Sequence, residues 1–321
     1  MVRTEEDHHA YVVRLREVPL LSKGQIVCDR FRIEEMIGSG GYGQIYLADM
    51  VIDKQELKVA LKISPEDVES PRMYLEAIVL TELRGVQCVP HLISCGDYDV
   101  FNYIALELLG ENLGQLRKRA PHGRLSVGTV LRIGIQAVNA LKVVHEKGWL
   151  HRDVKPSNFC IGHDGLERHK IFIVDFGLAR RYKNPDGSPR KVRPHAPFRG
   201  TTRFMSPNMH QRKEHGPVDD LWSLMYTLTE LAEGGLPWRL LRDFEDIGNM
   251  KRTKRMEEVW RHLPPTMTSF KLHLTKLTYS DTPHYAHLNS VLQKGLPNGV
   301  HDWTPYDWEP KTVPQTAPPI K

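Results

Sequence analysis

The chain has 321 residues, 40% of them hydrophobic, with 44 Lys and Arg against 39 Asp and Glu for a formal net charge of +5. Single cores stop growing near about 250 to 300 residues, so two lobes are expected. Four cysteines without C-x-x-C spacing do not make a disulfide scaffold, and 16 histidines without an H-E-x-x-H pattern offer no structural metal site.

No run of about 18 apolar residues is expected to span a bilayer, and the charged start Met1-Val2-Arg3-Thr4-Glu5-Glu6 does not read as a secretory signal. A soluble, cytoplasmic protein with free thiols is the expectation. The modest net charge is unevenly placed, with clusters at Arg180 to Arg203 and at Lys251-Arg252-Thr253-Lys254-Arg255.

In chain order, residues 1–28 read as an extension. From Phe31 the alternation Phe31, Ile33, Glu35, Ile37 suits a half-buried strand, and it runs into Gly38-Ser39-Gly40-Gly41-Tyr42-Gly43-Gln44-Ile45. Val59-Ala60-Leu61-Lys62-Ile63 is a further strand, and Ser70-Pro71 supplies an N-cap and first-turn proline for a helix to about Leu83. Tyr103 to Leu109 is a buried strand ending at Gly110, where a hinge is expected. Val127, Leu131, Ile135, Val138 and Leu141 recur at helical steps, Ile171 to Val174 is a short strand delivering Asp175, and Pro217 to Ala232 is a long buried helix. Trp303 to Trp308 is expected to dock, before a frayed tail. The resulting divisions are an extension at 1–28, a small mostly β lobe at 29–109, a larger mostly α lobe at 110–308 and a tail at 309–321, an α+β class.

The chemistry sits in His151-Arg152-Asp153-Val154-Lys155-Pro156-Ser157-Asn158, followed by Asp175-Phe176-Gly177. Asp153 can orient a hydroxyl and accept its proton, Lys155 can balance charge on a migrating phosphoryl, and Asn158 and Asp175 can hold Mg²⁺ against phosphate oxygens. No metal beyond Mg²⁺ is expected. Gly38-x-Gly40-x-x-Gly43 alone is a weak signal, since glycines often mark only a tight turn and dinucleotide folds use similar spacing. A dinucleotide loop opens a helix, however, whereas here Ile45, Tyr46 and Leu47 continue as a strand, as in a flap over nucleotide phosphates. Lys62 is expected to reach those phosphates and to be held by Glu76, with Glu82 the competing partner.

These residues resemble the protein kinase family. Ser157-Asn158-Phe159, Phe198-Arg199-Gly200-Thr201, Ser206-Pro207-Asn208 and Asp219-Asp220-Leu221-Trp222-Ser223-Leu224 look like the casein kinase 1 superfamily, and most like its tau-tubulin kinase branch, over about Phe31 to Trp308. The resemblance implies a two-lobed fold with ATP in the cleft and a non-specific serine/threonine kinase using ATP and Mg²⁺. Its implied nucleotide site is Ile37, Gly38, Ser39, Gly40, Gly41, Tyr42, Gly43, Ile45, Ala60, Lys62, Leu106 as gatekeeper, the backbones of Glu107 and Leu109, and Asp175. Thr201 is implied to bond near Asp153 and Lys155. Pro207 departs from the usual Ile or Val, and the loop Asn184 to Ala196 diverges.

Eight Lys and Arg against one acid between Arg180 and Arg203 suggest acidic or already phosphorylated protein substrates, with a solvated basic face as the alternative. Arg203 and Lys254 fall where casein kinase 1 relatives hold anions. Lys251 to Arg255 could be a nuclear address, the one route to a nuclear location, but no aromatic platform accompanies it and no nucleic-acid partner is expected. Neither a membrane partner nor an oligomer is expected. The rival reading is a catalytically silent scaffold, against which Gly38, Lys62, Glu76, Asp153, Asn158 and Asp175 all stand in place.

Overall fold

The computed structural model describes residues 20–40, 43–52, 55–65, 72–99 and 101–309. The extension up to residue 19, Gly41, Tyr42, the Ser70-Pro71 cap and the tail from residue 310 lie outside them. The chain forms two compact units built from non-contiguous stretches. The first takes the described residues up to Gly110, Val143–Arg152 and Cys160–Arg190; the second takes Glu111–Lys142, Asp153–Phe159 and the described residues from Lys191 onward. The sequence reading divides the chain linearly at 109/110; the chain instead returns twice to the first unit.

The first unit carries a six-stranded antiparallel sheet of β1 (Ile26–Val27), β2 (Phe31–Gly40), β3 (Gly43–Ile52), β4 (Gln55–Pro65), β5 (Leu92–Tyr98) and β6 (Phe101–Glu107), in the order β1-β2-β3-β4-β6-β5. Helix α1 (Arg72–Glu82) lies between β4 and β5 in sequence. Strand alternation decides what each face does. Val59, Leu61 and Ile63 of β4 are fully buried in a core with Phe31, Ile33, Tyr46, Ala48 and Tyr103. Ala60 and Lys62 therefore point the other way, and so do their cross-strand partners: Ile45 opposite Lys62, Leu47 opposite Ala60, Ile104 opposite Lys62 and Leu106 opposite Ala60.

The β2–β3 hairpin pairs Gly38 with Ile45 and Gly40 with Gly43, with Ile37 bulged between the Met36 and Gly38 rungs. Gly43 has φ +119°, and a Cβ there would lie 2.1 Å from the Ile63 carbonyl oxygen, so no other residue fits. Later parts of the first unit include β8 (Trp149–Leu150), which pairs antiparallel with β11 (Arg180–Arg181), and the short β10 (Ile171–Ile173), whose Ile173 N–H donates to the Cys88 carbonyl. The two remaining strands, β7 (Leu109–Asn112) and β9 (Phe159–Gly162), lie where the chain passes from one unit to the other. All four cysteines are free thiols.

The second unit is helical: α2 (Leu113–Arg119), most of α3 (Val127–Glu146), α4 (Pro207–His210), α5 (Pro217–Glu233), α6 (Phe244–Thr253), α7 (Met267–Thr275) and α8 (Tyr285–Lys294). Asn112 and Gln115 form a capping box on α2, and Gly234 ends α5 in the left-handed region. By length and composition α3 could cross a membrane, contrary to the expectation that no such run exists, yet 67% of its apolar stretch is buried inside the protein, as in a core helix. The buried Arg132 of α3 stacks 3.9 Å over the Tyr306 ring and donates to the carbonyls of His301, Asp302 and Thr304. Asp307 accepts from Ser126, so the segment ahead of the tail is docked.

Gly43→Ala should lower the unfolding free energy by roughly 1 to 3 kcal/mol from backbone strain, plus the clash with Ile63, whereas Gly40→Ala, with open space around it, should cost about 1 kcal/mol or less. Urea denaturation of both variants checks this; equal losses would contradict it.

Candidate active site

Within the first unit the sheet face carrying Ile45, Ala60 and Leu106 also carries Lys62, a residue only 9% exposed. Helix α1 buries Met73, Glu76, Ala77, Val79 and Leu80, the broad apolar stripe of a packed helix, and this brings Glu76 to the lysine. Lys62 Nζ donates to Glu76 Oε2 at 2.6 Å and to Asp175 Oδ1 at 3.3 Å. Burial by itself would lower the lysine pKa, but the charges of Glu76 and Asp175 outweigh it and hold the amine above the usual lysine range. The competing Glu82 is engaged elsewhere, accepting from Trp149 Nε1 at 2.9 Å and from Arg181.

Asp175 sits at φ +67°, an uncommon backbone for a non-glycine residue. Its loop is over-determined: His151 Nε2 lies 3.0 Å from the Val174 carbonyl oxygen, the His151 ring packs edge-on against the fully buried Phe176 at 5.0 Å, and Arg152, itself at φ +66°, donates to the Leu178 carbonyl at 2.7 Å. His151 and Arg152 were legible as motif members without a task; the structure gives them one, fixing the Asp175 loop. Glu107 donates its N–H to His91 O at 2.9 Å, so a ligand meeting its backbone would use the carbonyl. Leu109 is half-buried. A cavity of about 280 Å³ in this unit, lined by Leu80, Leu83, Val86, Pro90, Glu107 and Phe172 among others, does not include Lys62 or Asp175.

Within the second unit, Asp153 is 4% exposed and its carboxylate accepts from four donors. Oδ1 takes Thr201 N–H at 2.9 Å and Thr201 Oγ1 at 2.8 Å, while Oδ2 takes Lys155 Nζ at 2.6 Å and Asn158 Nδ2 at 3.3 Å. Lys155 Nζ also reaches Thr201 Oγ1 at 3.1 Å, and Asn158 Nδ2 donates to the Asp153 carbonyl at 2.9 Å. The turn Pro156–Asn158 folds Asn158 back onto Asp153. Four of the predicted residues thus meet in one hydrogen-bonded cluster, a preorganised set of charges.

The segment after Thr201 is held from below. Ser206 caps α4 and donates to Asp219 Oδ1 at 2.5 Å, Asn208 Nδ2 lies 3.4 Å from the same oxygen, and Asp219 Oδ2 accepts Gly216 N–H. His215 pairs with the buried Asp220 at 3.1 Å, and Arg193 grips Glu214 with two bonds of 2.6 and 2.8 Å. Of the two cations expected to hold an anion, Arg203 lies 3.6 Å from Glu230 and Lys254 2.9 Å from Glu258. Lys251, legible only as one member of a basic run, is 7% exposed and bonded inside this unit.

Among the described residues no cluster of three or more His, Cys, Asp or Glu could hold a metal by itself. Mg²⁺ is otherwise usually held by one or two protein oxygens plus substrate phosphates, and each unit by itself carries a donor of that kind, Asp175 in the first and Asn158 in the second. Asn158 suits this because its Nδ2 is engaged with Asp153, which leaves Oδ1 as the coordinating atom.

The protein kinase domain model matches residues 31–288. The chain is 40% identical over 290 residues to a Dictyostelium discoideum protein named "Probable serine/threonine-protein kinase", covering 90% of this chain and 58% of that protein, so it spans little more than half of that relative's length. It is 38% identical over 298 residues to a Caenorhabditis elegans protein named "Putative casein kinase I", covering 90% of this chain and 86% of the relative. A third, from the same nematode and named "Putative serine/threonine-protein kinase", is 35% identical over 298 residues, 91% of this chain and 85% of that one.

Glu76→Ala strips a buried ammonium of its nearer partner and should cost about 3 to 5 kcal/mol in chemical denaturation. Glu82→Ala, which removes a half-exposed pair with Arg181 and the acceptor of Trp149 Nε1, should cost less, about 1 to 2 kcal/mol. Equal losses would contradict the assignment of Glu76 as the partner of Lys62.

Proposed function

Because this chain belongs to the protein kinase family, of the two-lobed α+β fold, we propose that it is an ATP-dependent serine/threonine protein kinase that moves the γ-phosphoryl of Mg-ATP to Ser or Thr of protein substrates. The observation that carries the reading is the Asp153 cluster, in which one buried carboxylate gathers Lys155, Asn158 and Thr201.

When bound, Mg-ATP supplies the transferable phosphoryl and the metal charge that offsets its developing negative charge. Lys62, oriented by Glu76, holds the α and β phosphates, and the half-buried Ile45, Ala60 and Leu106 offer an apolar face to adenine. Asp175 and Asn158 are the residues that would hold Mg²⁺, each through a side-chain oxygen. Asp153 orients the acceptor hydroxyl and takes its proton at a carboxylate oxygen as that hydroxyl attacks the γ-phosphorus and the bond from the γ-phosphorus to the β,γ-bridging oxygen breaks, leaving ADP. Lys155, beside Asp153 Oδ2, stabilises the phosphoryl charge, and Thr201 keeps the Asp153 carboxylate from rotating.

Within the family we assign the chain to the casein kinase 1 superfamily, on its Ser206-Pro207-Asn208 and Asp219-Asp220 features and on the relative named for casein kinase I. The tau-tubulin kinase-like branch is the finer assignment. The basic stretch from Arg180 to Arg203 supports a preference for acidic or phosphorylated substrates. Lys254 can leave its exposed partner Glu258 at a cost of about 1 kcal/mol or less, so that pair does not bar an anion.

Two peptides with one acceptor Ser, differing only in acidic residues ahead of it, test both levels. Wild type with Mg-ATP should phosphorylate the acidic peptide at least about tenfold faster, and Asp153→Asn should lose about 100-fold or more on either. Equal rates on the two peptides would remove the substrate preference. Absence of transfer by wild type that still binds ATP would replace the kinase reading with a silent scaffold.

A further inference from the structure

The basic run Lys251 to Arg255 is not uniform. Residues 252–255 are exposed, but Lys251, on the inner face of α6, is 7% exposed. Its Nζ donates to the carbonyl oxygens of Thr202 and Met205, both at 2.7 Å, and lies 3.2 Å from His210 Nε2. The ring faces of Tyr226 and Trp238 lie at 5.2 Å each, so the amine is enclosed by two acceptors, an imidazole and two aromatic rings.

The two carbonyls are the ends of one structure. Thr202–Phe204 is a single 3-10 turn, closed by Met205 N–H to Thr202 O at 3.3 Å, and its middle carbonyl, that of Arg203, accepts from Trp238 Nε1 at 2.8 Å. Immediately before the turn stands Thr201, whose N–H and hydroxyl bond the Asp153 carboxylate. A lysine serves here because its amine can donate to both ends of the turn at once. Those two bonds survive a change of protonation: the ammonium donates to both carbonyls and to His210, whereas the neutral amine donates to both carbonyls and accepts from a protonated Nε2. Burial draws Lys251 down to about 6, and burial together with Lys251 and Arg252 draws His210 down to about 4.

We propose that Lys251 is a positioning residue for phosphoryl transfer, clamping both ends of the Thr202–Phe204 turn so that Thr201 is held against Asp153. The role in transfer rests on the kinase reading, but the clamp itself does not.

Lys251→Met keeps a buried unbranched chain and removes the donors. The proposal expects kcat for a Ser peptide to fall about tenfold or more with KM for ATP within about twofold, and the loss to be smaller in a Thr201→Ala background, where the N–H bond to Asp153 remains for the clamp to position but the hydroxyl bond does not. Hydrogen exchange of the Thr201 amide should quicken about tenfold while α5 amides keep their protection. Wild-type turnover in Lys251→Met, an undiminished loss on Thr201→Ala, or equal loss of protection in α5 would each overturn the proposal, the last by making Lys251 a general packing residue. If wild type transfers no phosphate, the kinase reading fails and the exchange comparison alone decides the clamp. Should Lys251→Met not fold, Trp238→Phe, which removes the donor to Arg203 O and shortens the ring beside the Lys251 amine, takes its place, with a smaller loss of the same pattern expected and unchanged Thr201 exchange overturning the clamp.

Discussion

A charge taken out of water is tolerated only beside an opposite charge or a full set of hydrogen bonds, and both units are arranged around that requirement. In the first, the Lys62 ammonium lies between Glu76 and Asp175, and the three residues belong to β4, to α1 and to the loop after β10. In the second, the Asp153 carboxylate draws donors from its own loop and from Thr201, far along the chain. Neither cluster is an economical way to stabilise a fold, because apolar residues of like volume often do as well. In both clusters the groups are held in fixed orientation by several bonds, the arrangement that electrostatic preorganisation requires.

The supporting parts follow from the same constraint. Asp175 and Arg152 hold left-handed backbone angles that cost energy, and the bonds of His151 and Arg152 and the packing of Phe176 keep them there. Thr201 can serve Asp153 only if the chain beyond it is rigid. Ser206 and Asn208 on Asp219 secure one side of that stretch, and Lys251 with Trp238 secures the turn.

Much of this was legible in the sequence. Lys62 was legible from its strand and its place after the glycine loop, and Glu76 from its place near the middle of the next helix, whereas the faces that bring them together come from strand pairing and helix packing. The cluster around Asp153 was legible as local spacing for Lys155 and Asn158, and only as a family resemblance for Thr201. What local patterns could not supply were pairings between distant segments. Lys251 reads as one of four cations in five residues, and its burial depends on α6 meeting the rings of Tyr226 and Trp238. Arg132 likewise reads as a polar residue on a core helix, and its role as a clamp on residues 301–306 exists only after docking. Arg203 and Lys254 read as isolated cations, and their nearness to Glu230 and Glu258 exists only in the folded chain.

The central claim is a division of labour: Lys62 and Asp175 hold the nucleotide with its metal, and Asp153 acts in transfer alone. Calorimetric titration of ATP, with Mg²⁺ and with chelator, into wild type, Asp175→Asn and Asp153→Asn tests it most directly. The account predicts that Asp153→Asn binds Mg-ATP within about threefold of wild type, and that Asp175→Asn loses about tenfold or more of the Mg²⁺-dependent affinity. Wild-type affinity in Asp175→Asn, or an equal loss in Asp153→Asn, would contradict it.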